Sequence, residues 1–285
     1  MKYSLILLFL GLSALQSCKV FNPDEIIPSY IYIKDIIVQP NSNQGTSNDN
    51  LVDAWVYVDG NLIGTYELPS KIPIHAEGSY NLQIFAGIKK SGLTNLRIQH
   101  DFFNSFDTTI NSIAYNLDTI VPKVTYESTA NIWIEDFEDP GIKFTAMSYS
   151  DTVIEITTAN SQVFEGNGSG KIEFDASHLF FESRTNETSF NSFPKGGKPV
   201  YMELNYKSNE VLTIGIYHNN ISGGLVKEEY INLFPTGDEW KKTYLVLTDI
   251  VSPQIRATQF EIYIEVQKDK STAPLVLIDN LKVMY

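Results

Sequence analysis

From Tyr30 onward the chain is a succession of short runs rich in Ile, Val, Tyr, Phe and Thr, separated by Gly, Asn, Asp and Pro, and no stretch sustains a helical period. β-Branched and aromatic side chains suit a pleated surface and the punctuating residues suit turns, so the pattern dictates many short strands. The clearest hairpin joins 52–58 to 62–66 through Asp59-Gly60-Asn61, where Asp-Gly supplies the positive backbone angles of a tight primed turn. Further strands are expected at 71–75, 79–88, 95–103 and 117–125, then at 152–158, 170–175, 199–207, 211–218, 228–233, 242–248, 259–267 and 275–284. Residues 40–50 form a polar loop of low complexity, and a composition shift over 127–131 reads as a linker. The expected fold is all-β, with two β-sandwich domains in series over 29–127 and 131–285 and no internal repeat.

Composition narrows the chemistry. A net charge of −13, with no cluster of Lys and Arg to offset it, repels phosphate backbones and argues against nucleic acid as a partner. Cys18 is the only cysteine, so no intramolecular disulfide forms and cysteine-based zinc or redox sites are excluded. Stability has to come from packed apolar surface, and 16 Phe, 16 Tyr and 3 Trp supply it.

Cys18 itself follows Lys2, an apolar run over 5–15 and then Gln16-Ser17. That run is too short for a bilayer whose core needs roughly 20 helical residues, so it reads as a secretory signal. The segment resembles a bacterial lipoprotein signal, with Gln16 departing from the small or aliphatic residue usual there. The resemblance implies removal of 1–17, diacylglycerol and further acyl chains such as palmitate on Cys18, and a tether over 18–28. Lys19 lacks the aspartate associated with inner-membrane retention in some bacteria, which favours the outer membrane of the cell envelope. The alternative is an ordinary secreted protein with a stray thiol in its signal. Asp107-Thr108-Thr109, Asp118-Thr119-Ile120 and Asp151-Thr152-Val153 resemble the O-glycosylation acceptor of Bacteroidota.

In the first sandwich, 56–64, Leu68-Pro69 and 78–82 resemble the PEGA-type pattern of small immunoglobulin-like or transthyretin-like units, which act mostly as spacers or interaction modules. In the second, Ile134-Glu135-Asp136-Phe137-Glu138, the glycine-rich 163–174, Glu239-Trp240-Lys241 and Leu277-Ile278-Asp279-Asn280-Leu281 occur in the order of galactose-binding-like jelly rolls, the fold of many carbohydrate-binding modules. In such modules the first and last strands lie side by side, often tied by calcium. The resemblance places Glu138 and Asp279 as calcium ligands, with carbonyls from 166–171, because calcium takes six to eight oxygens. Otherwise Glu138 caps a strand end and Asp279 is an ordinary polar position.

No catalytic set stands out. Glu135 and Asp136 face opposite sides of a strand, 166–170 lacks the strand-to-helix setting of a nucleophile elbow or phosphate loop, and the four histidines have no metal-ligand spacing. Strand alternation does offer a ligand surface. Met202 and Leu204 set the core phase of 199–207, leaving Tyr201, Glu203 and Asn205 outward. Leu212, Ile214 and Ile216 leave Gly215 and Tyr217 outward, and Phe260, Ile262, Ile264 and Val266 leave Glu261, Tyr263 and Glu265 outward. Tyrosines among carboxylates and amides suit a sugar, whose C–H faces stack on rings while its hydroxyls need polar partners. Gly215 beside Tyr217 would leave room for a ring. The same residues also fit cross-strand pairing on a solvated sheet. A second candidate is the loop 177–184, with Phe180 and Phe181 near His178 and Arg184. Trp133 and Trp240 read as packing residues. The sequence therefore points to a non-catalytic envelope lipoprotein that binds a glycan through its C-terminal jelly roll, or alternatively to a structural adaptor for other envelope proteins, with a glycan hydrolase less favoured.

Overall fold

A computed structural model describes residues 27–186, 190–191, 193–268 and 274–285. Cys18, the signal over 1–17 and nearly all of the tether lie outside the described residues. Ten strands precede the 127–131 segment: β1 (Ser29–Ile33), β2 (Ile37–Val38), β3 (Asp53–Val58), β4 (Asn61–Glu67), β5 (Ser70–Ile74), β6 (Ser79–Lys89), β7 (Arg97–Gln99), β8 (Phe106–Asn111), β9 (Leu117–Ile120) and β10 (Lys123–Val124). Eleven follow it: β11 (Ile132–Glu135), β12 (Phe144–Ala146), β13 (Glu155–Thr157), β14 (Ser169–Glu173), β15 (Phe180–Thr185), β16 (Tyr201–Ser208), β17 (Leu212–Asn219), β18 (Leu225–Leu233), β19 (Lys241–Val246), β20 (Phe260–Gln267) and β21 (Leu275–Met284). A single helical turn, α1 (Thr248–Val251), sits between β19 and β20.

Among the described residues no sheet crosses 127–131. In the first unit β6 is long enough to pair β3 along most of its length, β8 at its start and β7 at its end, giving the sheet β4-β3-β6-β7 with β8 alongside. The sheet β5-β1-β9 supplies Ile31, Ile33, Ile72 and Ile74 to the same core. Asp59 and Gly60 both have positive φ, 47° and 78°, so the β3–β4 hairpin closes through the expected primed turn. In the second unit a six-stranded sheet, β13-β14-β21-β16-β19 with β11 on β21, faces a five-stranded sheet, β12-β15-β20-β17-β18. Leu204, Leu212, Ile214, Ile216, Ile262 and Ile264 are fully buried between them, as the alternation predicts. The chain is all-β and built of sandwiches, and the first and last strands of the second unit, β11 and β21, lie side by side.

Three sequence expectations change. The loop expected over 177–184 is largely β15, a strand inside the five-stranded sheet with Phe181 in the core. Its period of two is disguised because Ser183 and Thr185 share the inward face with Phe181 and are buried as polar residues. Of the strand expected at 95–103 only β7 forms, and β8, which alternates Phe106, Thr108 and Ile110 with polar partners, was not anticipated. Last, the outward face of 199–207 is not open: Tyr201, Tyr244, Val246 and Met284, all on the outer face of the six-stranded sheet, belong to the first unit's core. Asn131 and Tyr285 exchange backbone hydrogen bonds of 2.9 and 3.1 Å where the chain passes between them.

Candidate functional site

The six sequence-nominated ligand residues fall on two faces. Tyr201, Glu203 and Asn205 alternate along β16 away from the second unit's core, as expected, but they do not meet solvent. Each is 2% exposed or less, because the first unit sits on this sheet. Tyr201 O–H donates to Asp101 (2.5 Å), and Asn205 Nδ2 donates to Asn48 Oδ1 (2.9 Å). Glu203 lies between Lys282 (2.7 Å), directly across on β21, and Lys242 (3.3 Å) on β19. Tyr126 of the first unit donates to Glu203 (3.0 Å) and accepts from Lys282 (2.6 Å). Burial opposes ionisation of Glu203, but the two lysines outweigh it and hold the carboxyl down to about 2. His100 packs beside them, stacked on Phe103 at 4.1 Å and edge-on to Tyr201 and Tyr244. Burial, against the pull of Glu203, lowers its pKa to about 3. The expectation of an open platform on β16 is thus corrected: this face is the junction between the units.

Tyr217, Glu261 and Tyr263 lie on the outer face of the five-stranded sheet, which no other unit covers. Glu182, on β15, organises it. Tyr217 O–H donates to its Oε1 (2.5 Å), Tyr149 O–H donates to the same atom (3.1 Å), and Lys227 donates to Oε2 (2.5 Å). Lys227 also pairs with Glu265 and lies over the Tyr263 ring at 4.4 Å. Arg184 pairs with Glu261 (2.7 Å). Burial raises the Glu182 pKa, yet Lys227 and the two hydroxyls lower it further, so the net direction is down and the group stays ionised. An ionised carboxylate of this kind cannot serve as the raised-pKa acid of a glycosidase pair. The space beside Gly215 is filled by protein: a Cβ there would lie 2.5 Å from the Tyr263 ring. Tyr217 and Tyr263 are therefore a buried floor rather than a stacking surface, and the accessible groups stand above them. Tyr149 is 54% exposed, its ring lies 6.1 Å from that of half-buried Phe180, and Lys227 and Glu265 rim the floor. Strand alternation points to the floor, and the 177–184 segment contains Glu182, Phe180 and Arg184, here on a strand rather than a loop; Tyr149, in a turn, carries no strand signal.

Glu138 and Asp279 do come to the same edge, where β11, β14 and β21 meet. Glu138 accepts from the N–H groups of Asn167 (2.8 Å) and Gly168 (3.2 Å) and from Asn167 Nδ2 (2.9 Å). The 166–171 turn thus turns N–H donors, not carbonyls, toward this carboxylate, which is the wrong polarity for a cation's cage. Asp279 accepts from Ser169 O–H (2.6 Å) and is raised to about 6 by burial. Glu138 does not fit the calcium role, and among the described residues no group of three or more His, Cys, Asp or Glu could hold a metal ion. Trp133 packs on Phe144 and Phe190 as expected, whereas Trp240 joins neither core and packs in a tilted pair with Phe164, ring centroids 5.2 Å apart.

No protein-family model matches the chain, and no curated protein is similar to it. Among solved structures, a carbohydrate-binding module of the β-sandwich superfamily aligns over 92% of this chain and 100% of its own, at 14% identity and a TM-score of 0.42. The C-terminal family 22 module of Clostridium thermocellum Xyn10B aligns over 53% of this chain and 90% of its own, at 15% identity and a TM-score of 0.37. A family 11 module from Clostridium thermocellum, in complex with a β-1,3-1,4-mixed-linked tetrasaccharide, aligns over 53% and 94%, at 11% identity and a TM-score of 0.38. At such identities and TM-scores, what this chain binds has to be argued from its own residues.

Proposed function

We propose that this protein is a lipid-anchored, non-catalytic protein of the outer membrane that binds a glycan on the outer face of its five-stranded sheet. The observation that carries the reading is the face itself. An exposed tyrosine stands over a floor of fixed carboxylates, a lysine and an arginine, each held by a partner before any ligand arrives. Tyr149 and Phe180 offer rings to the C–H face of a pyranose, and Glu265, Lys227 and Arg184 offer charge-assisted hydrogen bonds to its hydroxyls. Calorimetric titration with xylohexaose, the mixed-linked tetrasaccharide and β-1,4-galactotriose tests this. Tyr149→Ala, at an exposed position, should weaken the best of them about tenfold, the loss of one good contact; unchanged affinity would place the ligand elsewhere. Anchoring is tested separately. Cys18→Ala should move the protein from the membrane to the soluble fraction without changing its melting temperature, and continued membrane association would overturn the lipid.

The adaptor reading has its own support. Ile113 (62% exposed), Tyr115 (75%) and Leu117 form an apolar cluster on the first unit, beside Pro28, whose carbonyl accepts the Tyr115 N–H (3.1 Å). An apolar patch of this kind suits contact with another envelope protein.

A further inference from the structure

A groove runs along β19 between the two units, on the opposite side of the second sandwich from the face just described. It consists of two cavities of about 330 and 310 Å³ that share Asn50, Lys241 and Lys242 as lining. Clefts between domains within this size range are where small ligands commonly bind. Three features of the lining are unexplained by folding alone.

The first is a pair of orphaned polar atoms. Asn205 is 1% exposed, and its Nδ2 is committed to Asn48, but no group among the described residues hydrogen-bonds its Oδ1. Rotating the amide would only exchange an orphaned acceptor for an orphaned donor. Thr243, lining the second cavity, is also buried, and its Oγ1 has no partner among the described residues. Leaving such a group unsatisfied costs about 1–3 kcal/mol, so a native protein rarely does so without a use for it. The second feature is aromatic. Phe164 and Trp240 pack against one another in a tilted pair, 53° between planes, in the lining of the first cavity, half-buried and outside both cores. The third is charge. Lys242 is answered by Glu203, whereas Lys89 and Lys241 have no carboxylate within ion-pair distance among the described residues, in a chain of net charge −13. Asp49, at the aromatic end, has its Oδ1 occupied by the Leu51 N–H (3.2 Å).

We propose that this groove is a second, distinct binding site, and that its ligand is an acidic oligosaccharide. A pyranose leans on Trp240 and Phe164, hydroxyls donate to Asn205 Oδ1 and pair with Thr243, and a uronate carboxylate reaches Lys241 and Lys89. The buried amide and hydroxyl suit a ligand that carries both donors and acceptors, as a sugar does, and the lysines favour an acidic sugar over a neutral one. Nothing here depends on the five-stranded face being occupied.

The test is calorimetric titration, at low salt, with hexasaccharides of glucuronate, mannuronate and galacturonate and with their neutral parents of glucose, mannose and galactose. At least one acidic member should bind about tenfold or more tightly than its parent, the worth of a charge-assisted contact. Lys241→Gln, at an exposed position that folding does not need, should remove that preference, and Trp240→Ala should abolish binding. Tyr149→Ala, on the other face, should leave that preference for the acidic member intact. No binding by any acidic member, equal affinity for acid and parent, or a loss caused by Tyr149→Ala and not by Lys241→Gln would each overturn the site.

Discussion

The two outer faces of the second sandwich are built from the same parts and have opposite fates. On the six-stranded sheet Glu203 is held by Lys282, Lys242 and the Tyr126 hydroxyl. On the five-stranded sheet Glu182 is held by Lys227 and the hydroxyls of Tyr217 and Tyr149. The first set is closed off by another unit, with both lysine side chains no more than 5% exposed. In the second, Lys227 keeps 34% of its side chain in water. A carboxylate clamped by lysine and tyrosine is therefore not a signature of a binding site. The same cluster serves as mortar when covered and, in the proposed site, as an open floor.

The difference is largest where a charge is removed. Glu203→Gln strands Lys242 and Lys282 in the junction, and breaking a buried pair in this way costs about 3–5 kcal/mol. Urea unfolding should show that loss, with the junction opening first. The equivalent Glu182→Gln leaves Lys227 its Glu265 partner and access to water, and should cost well under half as much. Equal losses would break the comparison, by showing that the first unit adds nothing to the isolation of Glu203.

Alternation along β16, β17 and β20 was enough to separate core residues from outward ones, and each inward assignment, from Met202 to Val266, ends fully buried. What alternation cannot encode is whether an outward face meets water or another unit. Tyr201, Glu203 and Asn205 read as a platform because their partners, Asp101, Tyr126 and Asn48, lie in a different sandwich some eighty to one hundred and sixty positions earlier. Trp240 went astray for the complementary reason: an aromatic next to a strand is usually core, and only the neighbouring turn bearing Phe164 makes it a groove wall. The β3–β4 turn was legible because its chemistry is local to two residues.

The junction also carries a pH signature from a buried histidine. The unfolded chain takes up a proton at His100 near 6.5, while the folded chain refuses it until about 3. His100 therefore contributes stability that is present above 6.5 and lost as pH falls toward 3. Glu203, depressed from 4.5 to about 2, contributes in the same sense over a more acidic range. Asp279 opposes them: raised from 3.8 to about 6, it contributes stability that is present below 3.8 and lost as pH rises through 6. Between pH 6 and 4 the His100 and Asp279 effects offset, each worth up to about 1.4 kcal/mol per pH unit. Relative to the parent, His100→Gln should gain melting temperature on acidification across that window, and Asp279→Asn should lose it. Parallel profiles for all three proteins would show that His100 is solvated and the junction wet.

The smallest effect separates the jelly-roll edge from both faces. Glu138 is a third clamped carboxylate, but its partners are N–H groups of a turn rather than lysines, and hydrogen bonds from Asn167 and Gly168 lower its pKa despite the opposing effect of burial. Gly166 makes the arrangement possible: its φ is +71°, and a Cβ on it would lie 2.1 Å from Glu138 Oε1. If N–H donors already neutralise this carboxylate, a divalent cation has nothing to add and would have to displace three hydrogen bonds to enter. Calorimetric melting with EDTA and with added calcium should therefore coincide. A melting temperature that rises with calcium in the parent and not in Glu138→Gln would mean that the turn inverts to present its carbonyls, and that the edge of this sandwich is tied by an ion after all.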